Sequence, residues 1–441
     1  MSDTNLNVLK NRKVNTLSLR ALFPLGMAAL LFAIFISNVT GIKLPAIVIL
    51  ALACAIAVIC DRSELIAMVV ACIPLAAAFQ YKYFILAAMA IYIVKFGRDM
   101  KYKHGFLPLL FLMALELSHG VFYDFALYEF LRNFAELMVC TLILMCEHKK
   151  INYPLIVRTL AISSIVMLSI VLINLFQTNG VNFQGIFAGT YRFGVEDSAK
   201  TPNTINYNPN AIGFMANISI AGLLQLSLAK KKHVIDYPMI AVLLFFGLLT
   251  LSRTFLIVFA LVVILFICSI SATPLKKVKI TTIIVLLVVS SVFILLKTVP
   301  IVIERLISRF MVEDISNGRN DLFAFYNDHI FSSLQYLLYG VGIQNYGDKM
   351  LDIHGSYINV CHNGTQEILV CWGLIGLALF TWYIVEMILG TKKDFKRGLI
   401  NFIPLIITLV DVQSGQLISN GAIVLRLAVC SVSLLWNPKE T

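Results

Sequence analysis

Apolar runs recur along the whole chain, at 21–39, 43–60, 63–79, 83–97, 105–118, 130–146, 154–175, 211–229, 236–251, 254–271, 280–297, 365–390, 399–411 and 418–435. A helix needs roughly 20 apolar residues to cross a bilayer core. Several runs are shorter, so the expectation is an all-α, polytopic transmembrane helical bundle of 12–14 spans. An outer-membrane barrel would show short alternating strands instead, and that pattern is absent. Composition agrees. The chain is 59% hydrophobic and 13% charged, whereas a soluble domain carries about 25% charged residues. The whole of 1–441 reads as one integral membrane domain.

The net charge is +11, but the basic residues sit in short loops, so they report topology and not nucleic acid. With the N-terminus in the cytoplasm, the cytoplasmic loops hold Arg62; Arg98, Lys101 and Lys103; Lys149 and Lys150; Lys230 to Lys232; Lys276, Lys277 and Lys279; and Lys392, Lys393, Lys396 and Arg397. The short opposite loops hold almost only Lys43 and Lys82. Both termini are therefore expected in the cytoplasm. The basic N-terminus before Ala21 lacks a small-x-small cleavage site and reads as leading into an uncleaved first span. Nine cysteines lie mostly within or beside apolar runs. Their spacing suggests neither a disulfide framework nor a metal site.

Two outward loops are long: 176–210, and the larger 298–364. Long loops in compact proteins are usually functional or disordered. These carry aromatics, Asn and Gly, with few charge runs. Ser316, Asn317 or Gly318 could cap a helix starting at Arg319, with Leu322, Phe323, Phe325, Tyr326, Ile330 and Phe331 on its apolar side. Such a short helix could lie at the membrane interface.

Three outward arginines stand apart from the topological lysines: Arg192 in "TYRFG", Arg253 in "TLSRTF" and Arg319 in "NGRND". Arg253 is the sharpest. The stretch from Tyr237 to Ser271 is too long for one ordinary span, and "SRT" is its only polar break, so it folds as a hairpin with Arg253 at the turn. An arginine there either snorkels to headgroups or binds an anion. Its planar fork suits phosphate oxygens. Arg192 and Arg319 read equally as solvated loop charges. Asn208-Pro209-Asn210 could start a helix, and "NTINYNPN" also offers Tyr207 and Asn210, residue types that bind sugar hydroxyls. His362 and Asn363 head the run at 365–390. A histidine there is either structural or a base for a hydroxyl nucleophile. Asn363 could orient it or the substrate, and Glu367 is a candidate orienting partner. Cys361 is a rival nucleophile. Gly373 and Gly376 read as close helix packing.

His362-Asn363 followed by Gly373-Leu374-Ile375-Gly376, the lead-in "LLYGVGIQNYG" (Leu337 to Gly347), "GRNDLF", "LSRT", and "YRFG" followed by "NPN" together resemble the bacterial O-antigen polymerase and O-antigen ligase superfamily. The resemblance spans roughly 190–390. It implies a metal-independent membrane glycosyltransferase of the bacterial inner membrane, with its active site on the periplasmic side and no cofactor. The implied donor is an undecaprenyl-pyrophosphate-linked glycan. Arg192, Arg253 and Arg319 would hold the pyrophosphate and His362 would be the base. Implied partners are the lipid-linked oligosaccharide, membrane lipid and a chain-length regulator.

Within that superfamily the reading favours a polymerase, extending the glycan on a lipid-linked repeat unit, over a ligase delivering it to lipid A-core. A protein O-oligosaccharyltransferase is a third possibility. A transporter or flippase is the alternative of a different class. It would use charged residues inside spans, for which Glu116, Arg132, Glu136, Arg158, Asp411 and Arg426 are the candidates.

Overall fold

The computed structural model describes residues 22–76, 78, 81–101, 105–122, 138–139, 141–143, 151–188, 193–194, 208–298, 300, 304, 307, 319–346, 361–390, 395–413, 417, 429–434 and 436. Among them every regular element is a helix: α1 (Leu22–Val39), α2 (Ala46–Ile59), α3 (Arg62–Cys72), α4 (Tyr81–Phe96), α5 (Phe106–Phe122), α6 (Tyr153–Asn179), α7 (Phe183–Ala188), α8 (Pro209–Leu228), α9 (Asp236–Leu249), α10 (Arg253–Ser269), α11 (Pro274–Thr298), α12 (Arg319–Phe331), α13 (Leu334–Tyr339), α14 (Gly364–Gly390) and α15 (Phe395–Asp411). Four are long and apolar enough to cross a membrane: α1, α6, α8 and α14. Six more are apolar but shorter. This is a polytopic helical membrane architecture. The expected count of 12–14 crossings depends in part on the runs 130–146 and 418–435, most of which lie outside the described residues.

Two boundaries differ from expectation. The run 63–79 does not form one span. Helix α3 stops at Cys72, and Pro74 removes the next helical N–H. All of α3 but Glu64 is buried, so it is packed inside protein, against α6, and does not face lipid. Helix α6 runs four residues beyond the expected end and stops at Gly180, whose φ is 73°, so the first long loop starts later than 176. The expected hairpin within 237–271 is present, with its turn at Thr250–Ser252 between α9 and α10.

Side-chain ties define the two ends of the bundle. At one end the buried Gln225, near the close of α8, accepts a hydrogen bond from Tyr153 Oη at the start of α6. Its Nε2 donates to Ile400 O, near the start of α15. Arg158 closes the same end with a two-pronged pair to Asp236, at 2.8 and 3.0 Å, and a bond to Lys231 O. Helices α8 and α15 pack together and so run antiparallel. The start of α8 and the close of α15 share the other end of the bundle, where the candidate site is found.

Candidate functional site

Helix α8 begins as the motif predicts. Asn208 caps it, its side chain accepting from Asn210 N at 2.9 Å, with Pro209 in the first turn. The next helix to start at this end is α10. Its cap is Ser252, whose Oγ accepts from Phe255 N and donates to Asn210 Oδ1 at 2.8 Å. The turn before it puts Leu251 at φ 49°. Arg253 is therefore the first residue of α10, one position from a hydroxyl bonded to Asn210. It is half-buried, and its Nη1 is buried with no hydrogen-bond partner among the described residues. A guanidinium at the positive end of a helix dipole, with an N–H still to satisfy, is suited to an anion. The structure thus joins Arg253 and Asn210 through Ser252, a residue sequence reading passed over.

His362 heads α14 under tight constraint. Its φ is 49°, a left-handed conformation uncommon for residues other than glycine. Both neighbours are fixed. On one side, Cys361 N donates to Tyr346 Oη at 2.8 Å, and that hydroxyl donates to Cys361 Sγ at 3.0 Å. On the other, Asn363 Oδ1 accepts from Thr365 N and Gln366 N, at 3.0 and 3.1 Å, capping the helix. Gly364 N then donates to Val412 O at 2.7 Å, just past α15. His362 consequently lies at the same end of the bundle as Asn210 and Arg253.

Two expectations shift here. Asn363 uses its oxygen as a cap, which leaves its amide nitrogen as the group it could offer to substrate. Cys361 is buried, and burial, with Glu367 beside it, pushes its thiol up to about 12. It is held as a thiol and is a poor nucleophile. Glu367 is buried as well, and its carboxylate accepts from Leu417 N. Of the remaining expected site residues, Arg192 and Tyr207 lie outside the described residues. Only the backbone of Arg319 is described, at the first position of α12.

The depth of α14 is set by a kink. Gly373 adopts φ 61° and ψ −161°, nine residues into the helix. In a straight helix the carbonyls of Val370 and Cys371 would bond to the N–H groups of Leu374 and Ile375. Instead they accept from Val341 N at 2.9 Å and Gly342 N at 2.7 Å, in the loop after α13. The two backbones touch: a Cβ on Gly373 would lie 2.3 Å from Leu338 C, and one on Gly340 2.6 Å from Cys371 C. Helix α5 locks the clasp. Its buried Glu116 accepts from Trp372 Nε1 at 2.9 Å and Ile343 N at 3.1 Å, and Tyr339 O lies 2.9 Å from His119 Nε2.

Gly373 and Gly376 are thus not a packing pair on a straight helix. Gly373 is the break, and Gly376 makes room for Trp372, whose Cβ would lie 2.0 Å from a Cβ added there. Irregular backbone of this kind is tolerated at membrane depth only when enclosed in protein, and Val341 and Trp372 are fully buried. Glu116 and Arg158, candidates for a transport pathway, are both tied into structural contacts. Asp411 is buried at the close of α15.

Residues 238–381 match the family model described as O-antigen ligase. The match covers 144 of the 441 residues and takes in Arg253, Arg319 and His362. No curated protein and no solved structure matches the chain. Over that third of the chain, and in its all-helical membrane architecture, the protein is similar to the O-antigen ligase and polymerase superfamily.

Proposed function

We propose that this O-antigen ligase/polymerase-type membrane enzyme is a polymerase, transferring a growing undecaprenyl-pyrophosphate-linked glycan onto a lipid-linked repeat unit. The observation that carries the glycosyl-transfer part of the proposal is the backbone of His362, held at φ 49° between two fixed neighbours. Sparsely populated conformations persist where the surroundings over-determine them, and they cluster at functional sites. The half-buried Arg253 lies at the same end of the bundle, as the ties through Gln225 and Gly364 require.

In the proposed reaction the C1–O bond to pyrophosphate breaks, and its electron pair leaves with the phosphate. His362 takes the proton of the acceptor hydroxyl, and that oxygen forms the new bond to C1. Arg253, with Arg192 and Arg319, stabilises the charge gathering on the leaving pyrophosphate. The site faces the periplasm of the inner membrane, and a chain-length regulator is the expected protein partner.

The description of the matching family favours a second reading, ligation of the glycan to lipid A-core. A gel of surface polysaccharide from a deletion strain separates the two. A single repeat unit on core marks a lost polymerase. Long chains retained on their lipid carrier mark a lost ligase and overturn the polymerase assignment.

A further inference from the structure

The first turn of α14, just past His362, is held from two directions by neutral polar side chains. Gln366 Nε2 donates to Phe323 O at 3.1 Å and to Asn327 Oδ1 at 2.8 Å, which brings α12 over this turn. Thr365 Oγ1 donates to Gln413 Oε1 at 3.4 Å, just beyond α15. Thr365, Asn327 and Gln413 are exposed, and Gln366 is half-buried. No charged side chain takes part in these contacts.

We propose that Asn327, Gln366, Thr365 and Gln413 form the acceptor-sugar subsite, the surface that presents a glycan hydroxyl to His362. The inference rests on the glycosyl-transfer reading above and adds to it where the glycan part of the lipid-linked acceptor binds. Gln366 spends its two N–H groups on Phe323 O and Asn327 Oδ1, and Gln413 gives one to Leu409 O, so the groups this turn holds out to a sugar are the exposed Asn327 amide nitrogen, the second Gln413 N–H and the Thr365 hydroxyl oxygen. A sugar hydroxyl is donor and acceptor at once, so these groups can bind neighbouring hydroxyls with complementary hydrogen bonds. Binding sites fix orientation by a few well-placed polar groups, and these are tied to each other and to the capped helix that carries His362. Arg253 belongs to a different element, α10, beside Asn210. The charged lipid pyrophosphate and the acceptor glycan are thereby bound by separate groups that meet at the histidine.

The test uses the full-length protein in lipid nanodiscs and two probes. One is the repeat-unit oligosaccharide freed from its lipid by mild acid. The other is undecaprenyl pyrophosphate. Asn327→Ala and Gln413→Ala alter exposed side chains, and Gln366→Ala removes the link to α12. Each is expected to weaken oligosaccharide binding roughly tenfold, the scale of one lost hydrogen bond of about 1.4 kcal/mol. Undecaprenyl pyrophosphate affinity should stay unchanged. Arg253→Ala should show the reverse pattern.

Oligosaccharide affinity unchanged in the two exposed-site variants overturns the subsite, even if Gln366→Ala proves unstable. Equal loss of both probes also overturns it, because that marks a general disturbance. His362→Ala separates this failure from that of the underlying reading. An inactive His362→Ala with unaltered sugar binding in the amide variants sinks the subsite alone. An active His362→Ala sinks the glycosyl-transfer role of the histidine.

Discussion

Tyr346→Phe removes one oxygen and tests how His362 is held. In the native protein that oxygen accepts the Cys361 N–H at 2.8 Å and donates to its sulfur at 3.0 Å. Phenylalanine leaves the N–H buried without its acceptor, at a cost of about 1–3 kcal/mol. The bond to sulfur is weak and adds little. The left-handed backbone of His362 is itself uphill by roughly 1–2 kcal/mol. The lost clamp is thus comparable to the strain it maintains, and the imidazole should leave its productive position in much of the population. A loss of 1–2 kcal/mol at the transition state corresponds to a rate lower by roughly 5- to 30-fold.

The assay is the initial rate of chain extension by purified protein on lipid-linked repeat units, with KM recorded beside kcat. The loss should fall on kcat. Cys361→Ala keeps the backbone bond to Tyr346 and should stay within a few-fold of wild type, because its buried thiol is not the nucleophile. A Tyr346→Phe enzyme at the wild-type rate, or a Cys361→Ala enzyme as inactive as a histidine variant, would refute the reasoning.

Other positions give sharp outcomes. Gly373→Ala puts a methyl 2.3 Å from Leu338 C at a φ of 61°. Strain and overpacking together should cost roughly 2–5 kcal/mol, read as a large drop in thermal stability in detergent. Arg253→Ala should raise the undecaprenyl pyrophosphate concentration needed for half-maximal product inhibition by roughly 10- to 100-fold. Arg253→Lys should recover only part of this, since lysine lacks the planar fork. Asp236→Asn breaks the pair with Arg158. It should cost roughly 2–3 kcal/mol, below the ~3–5 of a fully buried pair because Arg158 is 27% exposed. Its effect should appear in thermal unfolding, with chain extension per folded molecule unchanged, since the pair lies at the end of the bundle away from His362.

Local polarity made several of these features legible in advance. The "SRT" break within a 35-residue apolar stretch could only be a turn, and Arg253 stands at it. Asn208-Pro209 carries the chemistry of a helix start, and α8 starts there. Other features depend on partners distant in sequence. Gly373 and Gly376 look like a packing pair until Val341 and Gly342, about 30 residues earlier, are seen donating to the carbonyls the kink exposes. Asn363 beside a histidine suggests a substrate ligand, yet its oxygen meets the nearer demand of two helix-start N–H groups. Glu116 inside a span suggested transport, and only its indole and backbone donors reveal a structural tie. The run 63–79 was apolar enough for a span, but full burial makes a short internal helix apolar too.

The most direct test of the account is the surface-polysaccharide gel of a deletion strain carrying His362→Ala, with membrane abundance of the variant matched to wild type. The account predicts loss of the long-chain ladder, with single repeat units remaining on core. A ladder of normal length and intensity would contradict it.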